Sequence, residues 1–421
     1  MKRTNKTITG NSYRFDPLEL PELFLRPSLA RSANALVVAD SVFEIERAFR
    51  YGRTIRRATL PLYAAASLGY HLPTLRKLLR DLMVFVLAED VSLSLENAKL
   101  ESETPKKLQQ FETTRDVCLF SGGVDSYSGI LLAQERLKNV SGVFAAHSDQ
   151  ARMIHIVRTI ERKVLAKEKI RLHELRVPAV GARGYAQLRG FLYIVGAAAW
   201  MNVLKADRLL VTECGPTMYQ PKFSPFDSIT MTTHPRVVRF ARDVIRFLLQ
   251  RKIEIVTPFE DLTKAEVMAI CPEKWGLRYT HSCISQRFGR HDGTCYGCVI
   301  RRLAAIAAGV EDVRYDKNPI SDKRAKSGNL MSLLAYSYDL LVDYSHMDTF
   351  EIEMIEAYSK RNLFRRFALD NFAAIHRLIQ NRHRVQVPIL RMYEDLVARL
   401  GTKILAHRLD DLQKAKFVPA L

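Results

Sequence analysis

Apolar positions change their spacing several times along the chain, and the changes divide it into three regions. At 33–49 they recur with a helical period. Residues 56–63 read as a strand and 75–87 as a helix. In 91–95, Val91, Leu93 and Leu95 alternate with serines, the pattern of a half-buried strand. The Lys- and Glu-rich stretch 100–114 reads as a linker. Candidate strands then follow at 116–120, 141–146, 171–177, 207–212 and 253–256. Helical patterns lie between them, notably at 126–137, 150–167 and 186–204. Such alternation predicts a parallel sheet with helices on both faces. Beyond the polar stretch 316–328, helical patterns at 330–344, 348–379 and 388–414 carry no cluster of catalytic residue types. The expected architecture is α/β. A doubly wound parallel sheet spans 111–312, after an α/β extension over 1–110 and before a helical region over 313–421.

Composition fits this plan. A chain of 421 residues has room for two or three domains, and 48% hydrophobic with 26% charged residues is the balance of a soluble globular protein. No apolar run reaches the length of a membrane span, and Met1 to Lys6 is basic but has no apolar core behind it. The expected location is the cytoplasm. The net charge of +19 attracts polyanions: a nucleic acid, an acidic protein partner or nucleotide phosphates. The densest basic sets are Arg53, Arg56 and Arg57, and the six arginines 361, 365, 366, 377, 382 and 384. Solvated helix faces are the commoner reason for such sets. Three of the six cysteines, Cys283, Cys295 and Cys298, cluster beside His281 and His291, which points to a metal site more than to disulfides.

The most informative segment is Val117-Cys118-Leu119-Phe120-Ser121-Gly122-Gly123-Val124-Asp125-Ser126. An apolar run ends in a loop with two adjacent glycines, and a helical pattern begins behind it. Glycines let backbone approach a ligand closely. The N–H groups and dipole of the following helix favour an anion there, and Ser121 and Ser126 add hydroxyl donors. The loop predicts a phosphate site, and the absence of a lysine after the glycines excludes the Walker type. The second signal is Cys283-x11-Cys295-x2-Cys298, a thiolate set suited to tetrahedral zinc. Its fourth ligand is Asp292, His291 or water, with Cys271 less favoured by its place in a Cys-Pro pair.

The SGGVDS loop resembles the pyrophosphate loop (PP-loop) of the ATP pyrophosphatases, which split ATP between the α- and β-phosphates and adenylate a substrate. The order of motifs narrows the resemblance. After the loop come Gln150, a helix bearing Arg189, Thr257-Pro258-Phe259, Leu262-Thr263-Lys264-Ala265-Glu266, Ser282-Cys283 and Cys295-x2-Cys298-x2-Arg301. Over about residues 115–308 this is similar to the QueC family, the 7-cyano-7-deazaguanine synthases. The chain departs from that family at His147-Ser148-Asp149, at Asp292 where a cysteine is expected, and in both flanking regions. Those flanks look like the longer QueC-like proteins of bacterial anti-phage systems, the QatC component of the Qat system above all. So does the segment Thr212-Glu213-Cys214-Gly215 followed by Thr232-Thr233-His234-Pro235, although Cys214 replaces an expected asparagine.

The resemblance implies roles residue by residue. Ser121, Gly122, Gly123, Val124, Asp125, Ser126 and Gln150 would hold ATP, with Mg²⁺. Asp125, Arg189 and Lys264 would be catalytic. Glu213, Thr233 and His234 would face the substrate, although a histidine before a proline also serves as a helix cap. Cys283, Asp292, Cys295 and Cys298 would bind Zn²⁺. The substrate would be a 7-carboxy-7-deazaguanine type of base, activated as an acyl-adenylate and converted to amide or nitrile. A partner protein within a defence complex is a further implied acceptor. Two other readings stay open: a PP-loop enzyme that modifies tRNA, with Cys214 or Cys271 in catalysis, and an ATP-sensing scaffold subunit.

Overall fold

The computed structural model describes residues 6–9, 11–15, 30–63, 72–98, 111–147, 151–177, 187–219, 231–284, 290–323, 325, 327–342 and 360–421. The centre is a five-stranded, all-parallel sheet of β5 (Asp116–Leu119), β6 (Val140–His147), β7 (Arg171–Val177), β8 (Arg208–Leu210) and β9 (Glu254–Val256). The strand order is β7-β6-β5-β8-β9. Val117, Cys118 and Phe120, in and just beyond β5, are buried, as the central strand of a doubly covered parallel sheet requires. The chain moves outward from β5 through β6 to β7, then jumps back to β8 on the other side of β5. Right-handed crossovers therefore put α3 (Val124–Leu137) and α4 (Ala151–Ile160) on one face, and α5 (Arg189–Val203) and α7 (Pro235–Leu249) on the other. A short α6 (Gly215–Tyr219) lies between α5 and α7 in the chain. The expectation of a parallel α/β sheet covered on both sides holds.

The amino-terminal region forms a second sheet, in order β1 (Lys6–Thr9), β2 (Ser12–Phe15), β3 (Arg57–Tyr63), β4 (Ser92–Ala98). The β1–β2 pair is antiparallel and the other two pairs are parallel. Its helices are α1 (Ala30–Arg50) and α2 (Leu72–Leu87). α1 packs against α5, α7 and β3, so nearly its whole surface is buried, polar residues included.

Behind the sheet come α8 (Lys264–Ala269), a 3₁₀ helix Lys274–Tyr279 and α9 (Tyr296–Ala308). The carboxy-terminal helices are α10 (Gly328–Val342), α11 (Arg361–Gln380), α12 (Val387–Leu400) and α13 (Lys403–Lys414). α11 packs on α9 and α10, and α13 packs on α8, α9 and α11. The single helical pattern expected over 388–414 is two helices, because Gly401 adopts a positive φ of 77° that ends α12. No helix among the described residues is long and apolar enough to cross a membrane.

Candidate nucleotide site and adjoining cysteine cluster

β5 ends where the direction of strand addition reverses, and a doubly wound sheet leaves a crevice for a ligand at that point. The Ser121–Gly123 loop sits there. Gly122 has φ +76°, a conformation that a Cβ would strain, and a Cβ would also stand 3.2 Å from Val157. Ser126 Oγ donates to the Gly123 carbonyl at 3.1 Å and accepts from the Ser121 amide at 3.2 Å, while the two serine hydroxyls are 3.1 Å apart. α3 starts from Gly123, and among the described residues no side chain caps its first turn. The Val124, Asp125 and Ser126 amides thus head the positive end of a helix, which favours an anion.

Asp125 is buried in that first turn, and Lys264 Nζ donates to both its carboxylate oxygens at 2.7 Å. The Cys214 amide, from the loop after β8, donates to Asp125 Oδ2 at 3.2 Å. Lys264 is the first residue of α8, held there by a reciprocal cap in which Thr263 and Glu266 bond each other's amides. Burial pushes the Glu213 carboxyl up to about 7, and the neighbouring Asp125 pushes it the same way against the pull of Lys264 and Arg189. For Lys264 burial works against the ammonium, but Asp125, Cys214 and Glu213 more than offset it and raise its pKa. Asp125, Glu213, Lys264 and the charge of Arg189 therefore share one electrostatic centre. Arg189 itself is exposed at the start of α5.

The segment expected to face a substrate lies alongside. Gly190 allows this, because a Cβ there would fall 1.7 Å from the Thr232 carbonyl oxygen. Thr233 Oγ1 is buried with no hydrogen-bond partner among the described residues. His234 caps α7, its Nδ1 accepting from the Arg236 amide at 3.2 Å. Its ring packs near Phe85 and Tyr219. The capping role that its place before Pro235 allowed is thus filled. Gln150 lies outside the described residues, as do Ser148 and Asp149.

Cys283, Asp292, Cys295 and Cys298 offer four ligand atoms that all lie within 4.8 Å of one another, a group able to hold a metal ion such as zinc. The three sulfurs belong to buried residues. Cys295 directly precedes α9 and Cys298 is in its first turn. Asp292 Oδ1 accepts from the amides of Thr294 and Cys295 at 2.9 and 3.0 Å, which orients the carboxylate. Burial opposes its charge, but those amides hold the carboxyl below its usual range. Of the alternatives for a fourth ligand, Asp292 is in the group. His291 is not: its Nε2 accepts from the Ser282 amide at 3.2 Å.

The cluster and the phosphate loop are joined through 281–283. The His281 amide donates to the Gly122 carbonyl at 2.9 Å, and His281 Nε2 lies 2.8 Å from the Cys283 carbonyl. Arg301 fastens the same loop from below. It is fully buried, donating to the carbonyls of Thr280 and Leu277 at 2.9 and 2.8 Å and pairing with Asp312 at 2.7 Å. Sequence gave Arg301 only as a motif position.

Two further sets were missed. Glu46 of α1 is buried and accepts from the amides of Gln187 and Leu188 at 2.5 and 2.9 Å, directly before Arg189. Glu266 of α8 takes Arg366 at 2.8 Å and Arg408 at 2.6 Å, and Arg408 also takes Asp370 at 2.7 Å. Buried charges in the helical patterns were the available signal, but pairs separated by 38 to 142 residues have no local spacing to read. The chain matches no protein-family model and no curated protein in sequence comparison.

Proposed function

We propose that this protein is an ATP-dependent adenylating enzyme of the PP-loop type, acting on a 7-carboxy-7-deazaguanine-type base. The observation that carries the reading is the meeting of Asp125, Glu213 and Lys264 beside an uncapped helix start and a positive-φ glycine. These parts lie far apart in sequence, and their convergence at the carboxyl edge of β5 makes a place for phosphate and a carboxylic acid together. In this reading the amides at 122–126, with Ser121 and Ser126, hold the pyrophosphate half of ATP. Lys264 and Arg189 offset the charge that grows as the α–β bond breaks. Asp125 places Lys264 and is the group nearest to hand for Mg²⁺. The substrate carboxylate attacks the α-phosphate, pyrophosphate leaves, and an amine then attacks the acyl carbon and displaces AMP. Zinc in the cysteine–aspartate group would be structural, holding 281–283 against Gly122.

Cys214 and Cys271 weigh against thiol chemistry on tRNA. Burial pushes Cys214 up to about 12 and Cys271 up to about 11, which keeps both as thiols at neutral pH. The basic surface leaves room for a polyanionic partner, and transfer of the acyl group to a protein of a defence system follows from the same intermediate. The test is pyrophosphate release from ATP with and without 7-carboxy-7-deazaguanine. Release that depends on the base and is lost in Lys264→Ala supports the reading. Nucleotide binding without release would leave a sensor, and no binding would sink it.

A further inference from the structure

The amino- and carboxy-terminal regions each end a buried ion network on a helix start that carries one cation of the site. On one side, Glu46 of α1 accepts both amides that precede Arg189, and its partner Arg50 stands 3.4 Å away. A carboxylate at that place caps α5 and faces the positive end of its dipole. On the other side, Arg366 of α11 and Arg408 of α13 both hold Glu266, whose second task is the reciprocal cap with Thr263 that starts α8 at Lys264. Glu266 is fully buried, and Asp370 extends the network by pairing with Arg408 and accepting from the Thr263 hydroxyl. Buried charges without a functional reason are a poor way to stabilise an interface. Here both networks close on the residue next to, or two away from, a site cation.

We propose that Glu46, from the amino-terminal region, and Arg366 with Arg408, from the carboxy-terminal region, are positioning residues that set Arg189 and Lys264 for an anionic ligand. The flanking regions then complete the site instead of merely decorating it. The inference rests on the nucleotide reading above, and its test separates the two.

Arg366 is the useful position, because its side chain is about one-third exposed and Arg408 still neutralises Glu266 when it is removed. Affinity for a non-cleavable ATP analogue with Mg²⁺ would be measured by calorimetry in the parent, Arg366→Ala, Arg366→Lys, Glu46→Gln and Lys264→Ala proteins, with melting temperatures alongside. The expected result is a loss of about tenfold in Arg366→Ala and in Glu46→Gln, at melting temperatures close to the parent's, with recovery in Arg366→Lys. Parent-like affinity in either of the first two overturns the proposal. If the parent binds no nucleotide, the functional reading fails, and hydrogen exchange decides the positioning claim instead. Arg366→Ala should then speed exchange at 263–269 and Glu46→Gln at 187–192, each without the other; unchanged exchange at those amides overturns the claim.

Discussion

Asp125 and Glu213 crowd one ammonium, Lys264, and a second positive charge reaches Glu213 from exposed Arg189. Two like charges in a desolvated place cannot both ionise cheaply, so the proton goes to Glu213, whose pKa rises to about 7 while Asp125 keeps the salt bridge. The sign for stability follows from linkage. A folded-state pKa raised above the unfolded value of 4.5 contributes stability below the lower value, and that stability is lost as pH rises to about 7. The whole contribution is roughly 3 kcal/mol. Urea unfolding at pH 5, 6, 7 and 8 should show a decline in the parent that is flattened in Glu213→Gln; parallel curves would refute the assignment. The pair itself calls for a different experiment. Lys264→Ala should cost about 3–5 kcal/mol because it leaves the buried Asp125 carboxylate without its cation. Adding Asp125→Asn should recover most of that stability without recovering nucleotide binding. A double variant as unstable as the single one would show that the pair is not the source of the loss.

The elements that carry these residues were unequally visible in sequence. β5 and β6 were legible because apolar residues dominate them, and β7 because Leu172, Leu175 and Val177 punctuate a polar stretch between two helical patterns; the central strand of a parallel sheet leaves no polar face to confuse the pattern. β1 and β2 were not, since Lys6–Thr9 and Ser12–Phe15 are short and largely polar and gain their place only by pairing. α7 has a clear apolar stripe at Val237, Val238, Ala241, Val244, Ile245 and Leu248, behind the motif at its start. The loop, Lys264 and the cysteine group were legible as motifs, whereas Glu46 and Arg408 act across distances that only the fold supplies. Gly122→Ala should destabilise by about 1–2 kcal/mol from the positive φ alone, with added crowding at Val157. The loss should appear in thermal melting, and nucleotide affinity should fall with it; a neutral change would mean the loop relaxes freely. For the cluster, elemental analysis should find about one zinc per chain in the parent and none in Cys298→Ser. Stripping the metal should lower the melting temperature by several degrees, because an ion held at a thousandfold over its Kd contributes about 4 kcal/mol to the folded state. An unchanged melting temperature in metal-free protein would remove the cluster from the support of 281–283.

At the scale of the whole molecule, the question is whether the three regions read from the sequence behave as separate units. Their hydrophobic residues form one continuous buried cluster, running from Ala33 and Phe43 in α1 through Ile194 in α5 to Phe372 in α11 and Leu412 in α13. α1 has almost no exposed face to call its own, and its buried Ser32 and Glu46 would be a burden to an isolated amino-terminal domain. Ser32 and Glu46 find partners in α5 or just before it, at the Ala199 carbonyl and the Leu188 amide. On the other side, α8 buries Glu266 against arginines that only α11 and α13 provide. Removing either flank would strand charges in the core, a cost of several kcal/mol against a net stability of about 5–15 kcal/mol. The chain should therefore unfold as one cooperative unit despite its length. Scanning calorimetry should give a single transition whose calorimetric and van't Hoff enthalpies agree. Variants in the amino-terminal core, such as Phe43→Ala, should move the whole transition and leave no earlier shoulder. Two resolved peaks, with one sensitive to Phe43→Ala and the other to Phe372→Ala, would show that the flanks fold apart from the sheet and that the buried networks at Glu46 and Glu266 do not bind the regions together.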